Sequence, residues 1–310
     1  MKIRRKEWMK SLVQLKFNIE VDKRSDNISR RHHYLPRFYI NSFVDPDGKL
    51  YAYNKSTSTI KSKSPKQVYF EWNRNIIEVK GQDNDFIEKL YGSVEASFAE
   101  FYNKMIHEMD FSMYNMLYLV LFIQTIYNRN PKMDSKIGKY LSEFEKRQTI
   151  LIVKGGEGNE ASKEQYEMIA KEEAITKGIK IVKGLEGYMR YSDEVLNLEI
   201  AHIPEGYPKN HLLSDFPLII EDESKDLFQS RFIFTLSSGV RVIYTKGTEI
   251  KKLSKEFSLD IDILTFMQSS IYVCGNNNNY LKYIANQSSK SNNPQAFQAL
   301  KKKIFLDLFG

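Results

Sequence analysis

The sequence predicts an α+β fold: a small N-terminal β-meander, then a central helical layer, then a second antiparallel sheet with C-terminal helices. Three observations carry this reading. Short runs of period two, punctuated by Pro, Ser, Thr and Asn, occupy residues 50–79. From Asp83 the apolar residues switch to three- and four-residue spacing. After residue 195 short β-type runs return, and helical patterning closes the chain. Strands segregated from helices, rather than alternating with them, point to α+β.

The elements follow in order. Trp8, Leu12, Leu15 and Ile19 are spaced as one stripe of a helix in a basic opening segment. A turn at Asp45-Pro46-Asp47-Gly48 leads into strands at Leu50 to Asn54 and Thr59 to Lys63, then Val68 to Phe70 and Ile76 to Val79. Phe86, Leu90, Val94, Phe98, Phe101 and Met105 mark a helix, a second runs from Ser112 toward Tyr127 before Pro131, and a third spans 134–153. Gly155-Gly156-Glu157-Gly158-Asn159 breaks the pattern ahead of a charged helix over 162–177. Strands are expected at 195–203, 211–220, 232–236 and 240–245. Helical pattern covers 261–287 and 294–309, interrupted by Gly275 and a loop at Asn276 to Asn279.

The organisation expected is a basic extension over residues 1–30 and a single domain over 31–310, with 154–162 as a lid or linker. At 310 residues, 42% hydrophobic and 27% charged, the chain has the composition of a globular protein. A lone cysteine, Cys274, excludes an intramolecular disulfide and fits a reducing, cytoplasmic setting. No uninterrupted apolar segment suits a signal peptide. The longest apolar run, Met116 to Ile123, falls well short of the roughly 20 residues a bilayer requires, so it reads as a core helix and no membrane partner is expected.

Charge is uneven. Residues 1–80 carry 18 Lys+Arg against 8 Asp+Glu, whereas residues 81–310 carry 28 against 31 (46 − 18 and 39 − 8). A net +10 in the first quarter suits either contact with a polyanion such as nucleic acid, or a solvated face.

The most distinctive segment is His32-His33-Tyr34-Leu35-Pro36-Arg37-Phe38-Tyr39-Ile40-Asn41-Ser42-Phe43. It resembles the opening motif of the bacterial family catalogued as domain of unknown function 4238. Further matches follow in the family's order: Leu50-Tyr51-Ala52-Tyr53-Asn54-Lys55, Glu88 and Glu95, Gln124 with Arg129-Asn130-Pro131, and Ser214-Asp215-Phe216-Pro217. Phe216 stands where that family commonly has asparagine. The resemblance implies an α+β fold over about residues 30–290 and supplies no reaction.

Chemistry must therefore be argued from side chains. Neighbouring histidines on an extended segment face opposite ways, so His32 and His33 would serve different surroundings. Each can be a ligand, a general base or the anchor of a turn. Glu88 and Glu95 lie on one helix face about 10 Å apart, too far to share a metal directly. One of them could join His32 or His33 and Asp215 around Mg²⁺ or Mn²⁺, or both could form an ordinary acidic face. Asp215 lies between apolar runs and needs a partner, for which Arg129 is the expected one unless it clamps phosphate.

Sharper signatures are missing: no phosphate-binding Gly-x-x-x-x-Gly-Lys-Ser/Thr loop, no Gly-x-Ser-x-Gly elbow and no His-Glu-x-x-His. Glu249-Ile250-Lys251 offers only half of a restriction-type nuclease pattern.

Two main functions follow, beside a third, hydrolysis of a small nucleotide, which would share the site residues of the first and not depend on residues 1–30. One is a metal-dependent nuclease or phosphodiester hydrolase, with His33, Asp215 and Arg129 catalytic, His32, Glu88, Glu95 and Asp215 on the metal, and Arg30, Arg31 and Arg37 on phosphates. By analogy, such an enzyme would suit a toxin or phage-defence effector. The other is a non-catalytic protein that binds nucleic acid or an acidic partner through its basic N-terminal region.

Overall fold

A computed structural model describes residues 28–79, 82–137, 173–203, 208–251, 255–289 and 293–310. The basic segment up to residue 27, most of the expected third helix, the charged helix as far as residue 172, and the 154–162 linker lie outside the described residues.

The chain enters through β1 (Arg31–His33) and the short helix α1 (Arg37–Asn41), followed by β2 (Leu50–Asn54), β3 (Thr59–Lys63), β4 (Phe70–Trp72), β5 (Ile77–Val79) and β6 (Gln82–Asn84). Two long helices come next, α2 (Phe86–His107) and α3 (Met113–Arg129), and then α4 (Glu173–Tyr191). Strands β7 (Leu198–His202), β8 (Leu213–Ser214), β9 (Leu218–Ile220), β10 (Phe232–Ser237) and β11 (Val240–Tyr244) precede α5 (Lys255–Gln268). The chain closes with β12 (Tyr272–Gly275), α6 (Asn278–Ser289) and α7 (Pro294–Phe309).

The fold is α+β, but the N-terminal strands do not make one meander. β2 and β3 form the expected hairpin, whose other neighbour is β12 from the far end of the chain, giving the order β3-β2-β12-β8. β4 pairs with β1 and β5 with β6, as two separate ribbons. β12 lies inside a stretch expected to be helical. Its Tyr-Val-Cys core, set between Ser269-Ser270 and Gly275, favours a short buried strand over helix.

The second sheet has the order β7-β11-β10-β9, antiparallel throughout. Both its faces are covered, which explains its nearly continuous apolar runs. Ile219, Ile233 and Ile243 meet Ile261, Leu264, Ile304, Phe305 and Leu308 of α5 and α7. Phe232, Phe234, Val242 and Tyr244 face the main core.

That core surrounds α3, which is buried on every side along most of its length, as a run like Leu-Val-Leu-Phe-Ile demands. Phe122 packs edge-on against Tyr39 and Phe98, and Tyr39 stacks on Phe234. The buried hydroxyls are satisfied by sheet carbonyls: Tyr39 donates to Thr235 O at 2.5 Å and Tyr102 to Leu236 O at 2.6 Å. On α2 the buried stripe is Ile87, Tyr91, Val94, Phe98, Tyr102 and Met105, with Leu90 and Phe101 only half-buried. Small residues let α4 approach α3: a Cβ built on Gly184 would lie 3.5 Å from Thr125 Oγ1, and one on Gly187 would lie 2.6 Å from Gln124 Oε1.

The 211–220 run is not one strand. Pro217 interrupts it, so β8 belongs to the first sheet and β9 to the second. No described helix is long and apolar enough to cross a membrane.

Candidate functional site

The β1–β4 ribbon sorts its side chains by strand alternation. Arg31 and His33 pair with Trp72 and Phe70 on one face, and His32 pairs with Glu71 on the other. His32 is fully buried. Its Nδ1 accepts from Asn75 N–H at 2.8 Å, so Nε2 carries the proton and donates to Ser29 O at 2.7 Å. With both ring nitrogens held by backbone, His32 has no lone pair left for a metal. The ligand role expected for it is corrected to that of an anchor for the chain entry.

His33 differs. Its Nε2 is buried without a hydrogen-bond partner, and its ring lies 5.7 Å from Phe70. Burial pulls its pKa down to about 4; a hydrogen bond with the Lys66 backbone opposes the shift, and the charges of Arg129, Arg37 and Arg31 reinforce it. At neutral pH it is an uncharged imidazole in cationic surroundings.

Arg129 is almost fully buried at the end of α3. One guanidinium nitrogen makes a close contact with Glu95 and the other reaches Glu88 at 3.5 Å. The Tyr91 ring lies beneath it, 4.1 Å from ring centroid to Cζ. Glu88, Tyr91 and Glu95 follow each other at helical spacing on α2, so the two carboxylates reach the two terminal nitrogens of one guanidinium. Burial, which acts to lower the Arg129 pKa, is outweighed by Glu95 and Glu88, which raise it. Asn75 Nδ2 donates to Glu88 at 2.7 Å, linking this cluster to His32. Arg74 joins it from the ribbon, donating to Arg129 O at 3.2 Å and pairing with Glu71 and Asp134.

Asp215 is elsewhere, so the expected Arg129–Asp215 pair is corrected. The Asp215 carboxylate accepts from Ser270 N–H at 3.0 Å and Ile271 N–H at 3.1 Å, holding the turn that leads into β12. Burial raises its pKa, and these amides act to lower it. The two family-like motifs do meet, through Asn130, whose amide donates to Asp215 O at 2.6 Å.

These placements dissolve the expected metal set. His32 is held by backbone, Glu88 and Glu95 by Arg129, and Asp215 by the turn at 270–271. Among the described residues no group of three His, Cys, Asp or Glu side chains could hold a metal ion. Arg129, with both terminal nitrogens on carboxylates, is not placed as a phosphate clamp.

Of the three arginines expected on phosphates, Arg30 is tied to Asp83 at 2.9 Å and to Asn73. Arg37 is exposed on α1. Arg31 lies at the mouth of a cleft of about 430 Å³ between the ribbon and the β12 end of the first sheet. Its guanidinium carbon sits 4.5 Å from the Phe70 ring centroid and 5.1 Å from that of Trp72. Across the cleft Lys63 Nζ is 5.4 Å from the Tyr272 ring. Tyr34, Gln67, Tyr69 and Ile271 complete the wall, to which no carboxylate contributes among the described residues. The aromatic-acid-aromatic alternation Phe70-Glu71-Trp72 was the signal that could have located this face; its partner Tyr272, 200 residues away, gave none.

A second buried cluster also escaped the sequence reading. Asp262 accepts from Arg241 at 2.7 Å, Tyr280 at 2.8 Å and Leu212 N–H at 3.0 Å, with His211 Nδ1 at 3.8 Å. Burial and the Arg241 charge hold the His211 pKa down at about 4, with Asp262 opposing. The imidazole is therefore neutral at pH 7, and the charge balance lies between Arg241 and Asp262. The cluster fastens α5 and α6 to the sheets.

Fold and site together define an α+β protein with a basic, aromatic cleft beside a neutral, half-buried histidine. Residues 31–244 match the family described as protein of unknown function DUF4238, and the chain belongs to that family. No curated protein and no solved structure matches it.

Proposed function

We propose that this protein binds nucleic acid in the cleft bounded by Arg31, Lys63, Phe70, Trp72 and Tyr272. The observation that supports this is the pairing of cations with aromatic faces in a wall to which no described acidic residue contributes, the combination that accepts phosphates and bases together. On this reading the polyanion contact falls to Arg31 rather than to all three arginines.

Fluorescence anisotropy with labelled oligonucleotides, repeated across a salt series, tests this. Binding should weaken as salt rises, with log K falling by about 0.7–0.9 per phosphate neutralised for each tenfold rise in salt. Arg31→Ala and Lys63→Ala should each weaken binding and flatten that slope. Salt-sensitive binding that neither variant alters would place the contact elsewhere.

One observation favours a second reading, phosphodiester hydrolysis. His33, on the same ribbon face as Arg31, is neutral and its Nε2 has no hydrogen-bond partner among the described residues, so its lone pair could take a proton once the ring turns toward the cleft, as a base that burial weakens. RNA cleavage that persists in chelator and disappears in a folded His33→Ala variant would support it. Binding without cleavage would leave the protein a binder.

A further inference from the structure

We propose that the cleft takes single-stranded rather than duplex nucleic acid, with a base stacked on Trp72 and the flanking phosphates on Arg31 and Lys63. This rests on the nucleic-acid reading above and narrows it to a substrate class.

The argument starts from exposure. Trp72 is 62% exposed and Ile271 44% exposed, so the rim of the cleft presents broad apolar surface to solvent. Deeper in the wall Phe70 and Tyr272 are half-buried, and Tyr34 and Tyr69 are buried. Such a graded wall is of no use to a duplex, whose base faces are covered by their neighbours and which offers a protein its phosphates and groove edges. A single strand turns its bases outward, and an aromatic plane receives any of them without reading sequence.

Charge placement agrees. Arg31 and Lys63 lie on opposite sides of the cleft, each over a ring, so a strand crossing it would meet a cation, an aromatic face and a second cation in turn. Arg31 is only loosely held, donating to Lys66 O at 3.4 Å, and can rotate from ring to phosphate. Gln67 has its carboxamide oxygen engaged by Ser64 N–H at 2.9 Å, which leaves its NH₂ group as the donor of the wall. With Arg31, Lys63 and that amide all donors, the cleft suits the acceptors of phosphates and keto bases.

Trp72 also makes the idea measurable, because the only other tryptophan is Trp8. In a Trp8→Phe background, the full chain is titrated with a 12-nucleotide oligo(dT) or oligo(U) and, separately, with a blunt duplex of the same length. The expected result is quenching of Trp72 by the single strand and at least tenfold weaker binding of the duplex. Trp72→Ala should lose roughly ten- to a hundredfold in single-strand affinity and Trp72→Phe should recover most of it. Circular dichroism verifies that these surface variants fold.

Equal affinity for duplex and single strand, or no loss in Trp72→Ala, overturns the single-strand proposal while a loss in Arg31→Ala and Lys63→Ala keeps the broader reading. Salt-dependent binding of neither nucleic acid overturns both.

Discussion

Replacing Arg129 by methionine isolates the charge at the junction of α2 and α3. Methionine retains much of the length and bulk, so what is lost is the pairing with Glu95 and Glu88 and the contact with the Tyr91 ring. Removing one partner of a buried pair costs about 3–5 kcal/mol when the remaining charge stays desolvated. Here the survivors are carboxylates whose side chains are 23% and 22% exposed, so water recovers part of that, leaving about 2 kcal/mol. The lost cation–π contact adds about 1 kcal/mol, for a total of about 3 kcal/mol. Urea denaturation should show this as a lower midpoint at unchanged slope. The triple variant Arg129→Met with Glu88→Gln and Glu95→Gln should recover at least about 1 kcal/mol, because no unpaired charge remains. A loss below about 1 kcal/mol in the single variant, with nothing recovered in the triple, would refute the view that the carboxylates exist to hold this guanidinium.

Three other outcomes follow from the same physics. Asp215→Ala leaves the Ser270 and Ile271 amides without their acceptor and should cost about 3 kcal/mol, while Asp215→Asn, which keeps one oxygen, should cost less than half of that in the same urea assay. His211 is neutral in the folded protein and titrates near the ordinary value of 6.5 when unfolded, so the unfolded state binds the extra proton first as pH falls. Its contribution is intact above pH 6.5 and is lost on the way down to pH 4, by roughly 3 kcal/mol in all; His211→Gln should be flatter between pH 7 and 4.5, and an unchanged profile would contradict its burial as a neutral base. Gly187→Ala should force the buried Gln124 carboxamide to shift and so melt below Gly184→Ala, whose contacts are ordinary at 3.5 Å, by the equivalent of about 1 kcal/mol.

Much of the fold was legible because local pattern and global structure agree. The β2–β3 hairpin and the α2 helix show their period in consecutive residues, and α3 and the β10–β11 hairpin show as continuous apolar runs closed by Pro131 and by the turn at Ser238-Gly239. What was hidden is pairing over distance. Nothing near Leu50-Tyr-Ala-Tyr-Asn says that its second neighbour is Tyr272–Gly275, and nothing in 211–220 except Pro217 says that it serves two sheets. The polar residues were found for the right reason, as side chains out of place in apolar runs, but their partners were misassigned. Arg129 and Asp215 are both buried, yet each is satisfied separately, one by α2 and the other by backbone amides. Residue type advertises a need for a partner without saying which partner meets it.

The place of β12 bears on where this molecule can be cut. The family match ends at residue 244, which makes that position a tempting place to truncate the chain. In the sheet, however, β12 is an interior strand, hydrogen-bonded to β2 on one side and β8 on the other. A fragment ending at 244 would expose the inner edges of both and leave the β2–β3 hairpin as an isolated pair, too small to persist in water and prone to edge-to-edge association. The matched segment is thus shorter than the folded unit, which extends at least through Gly275, and any fragment meant to fold must reach past that strand.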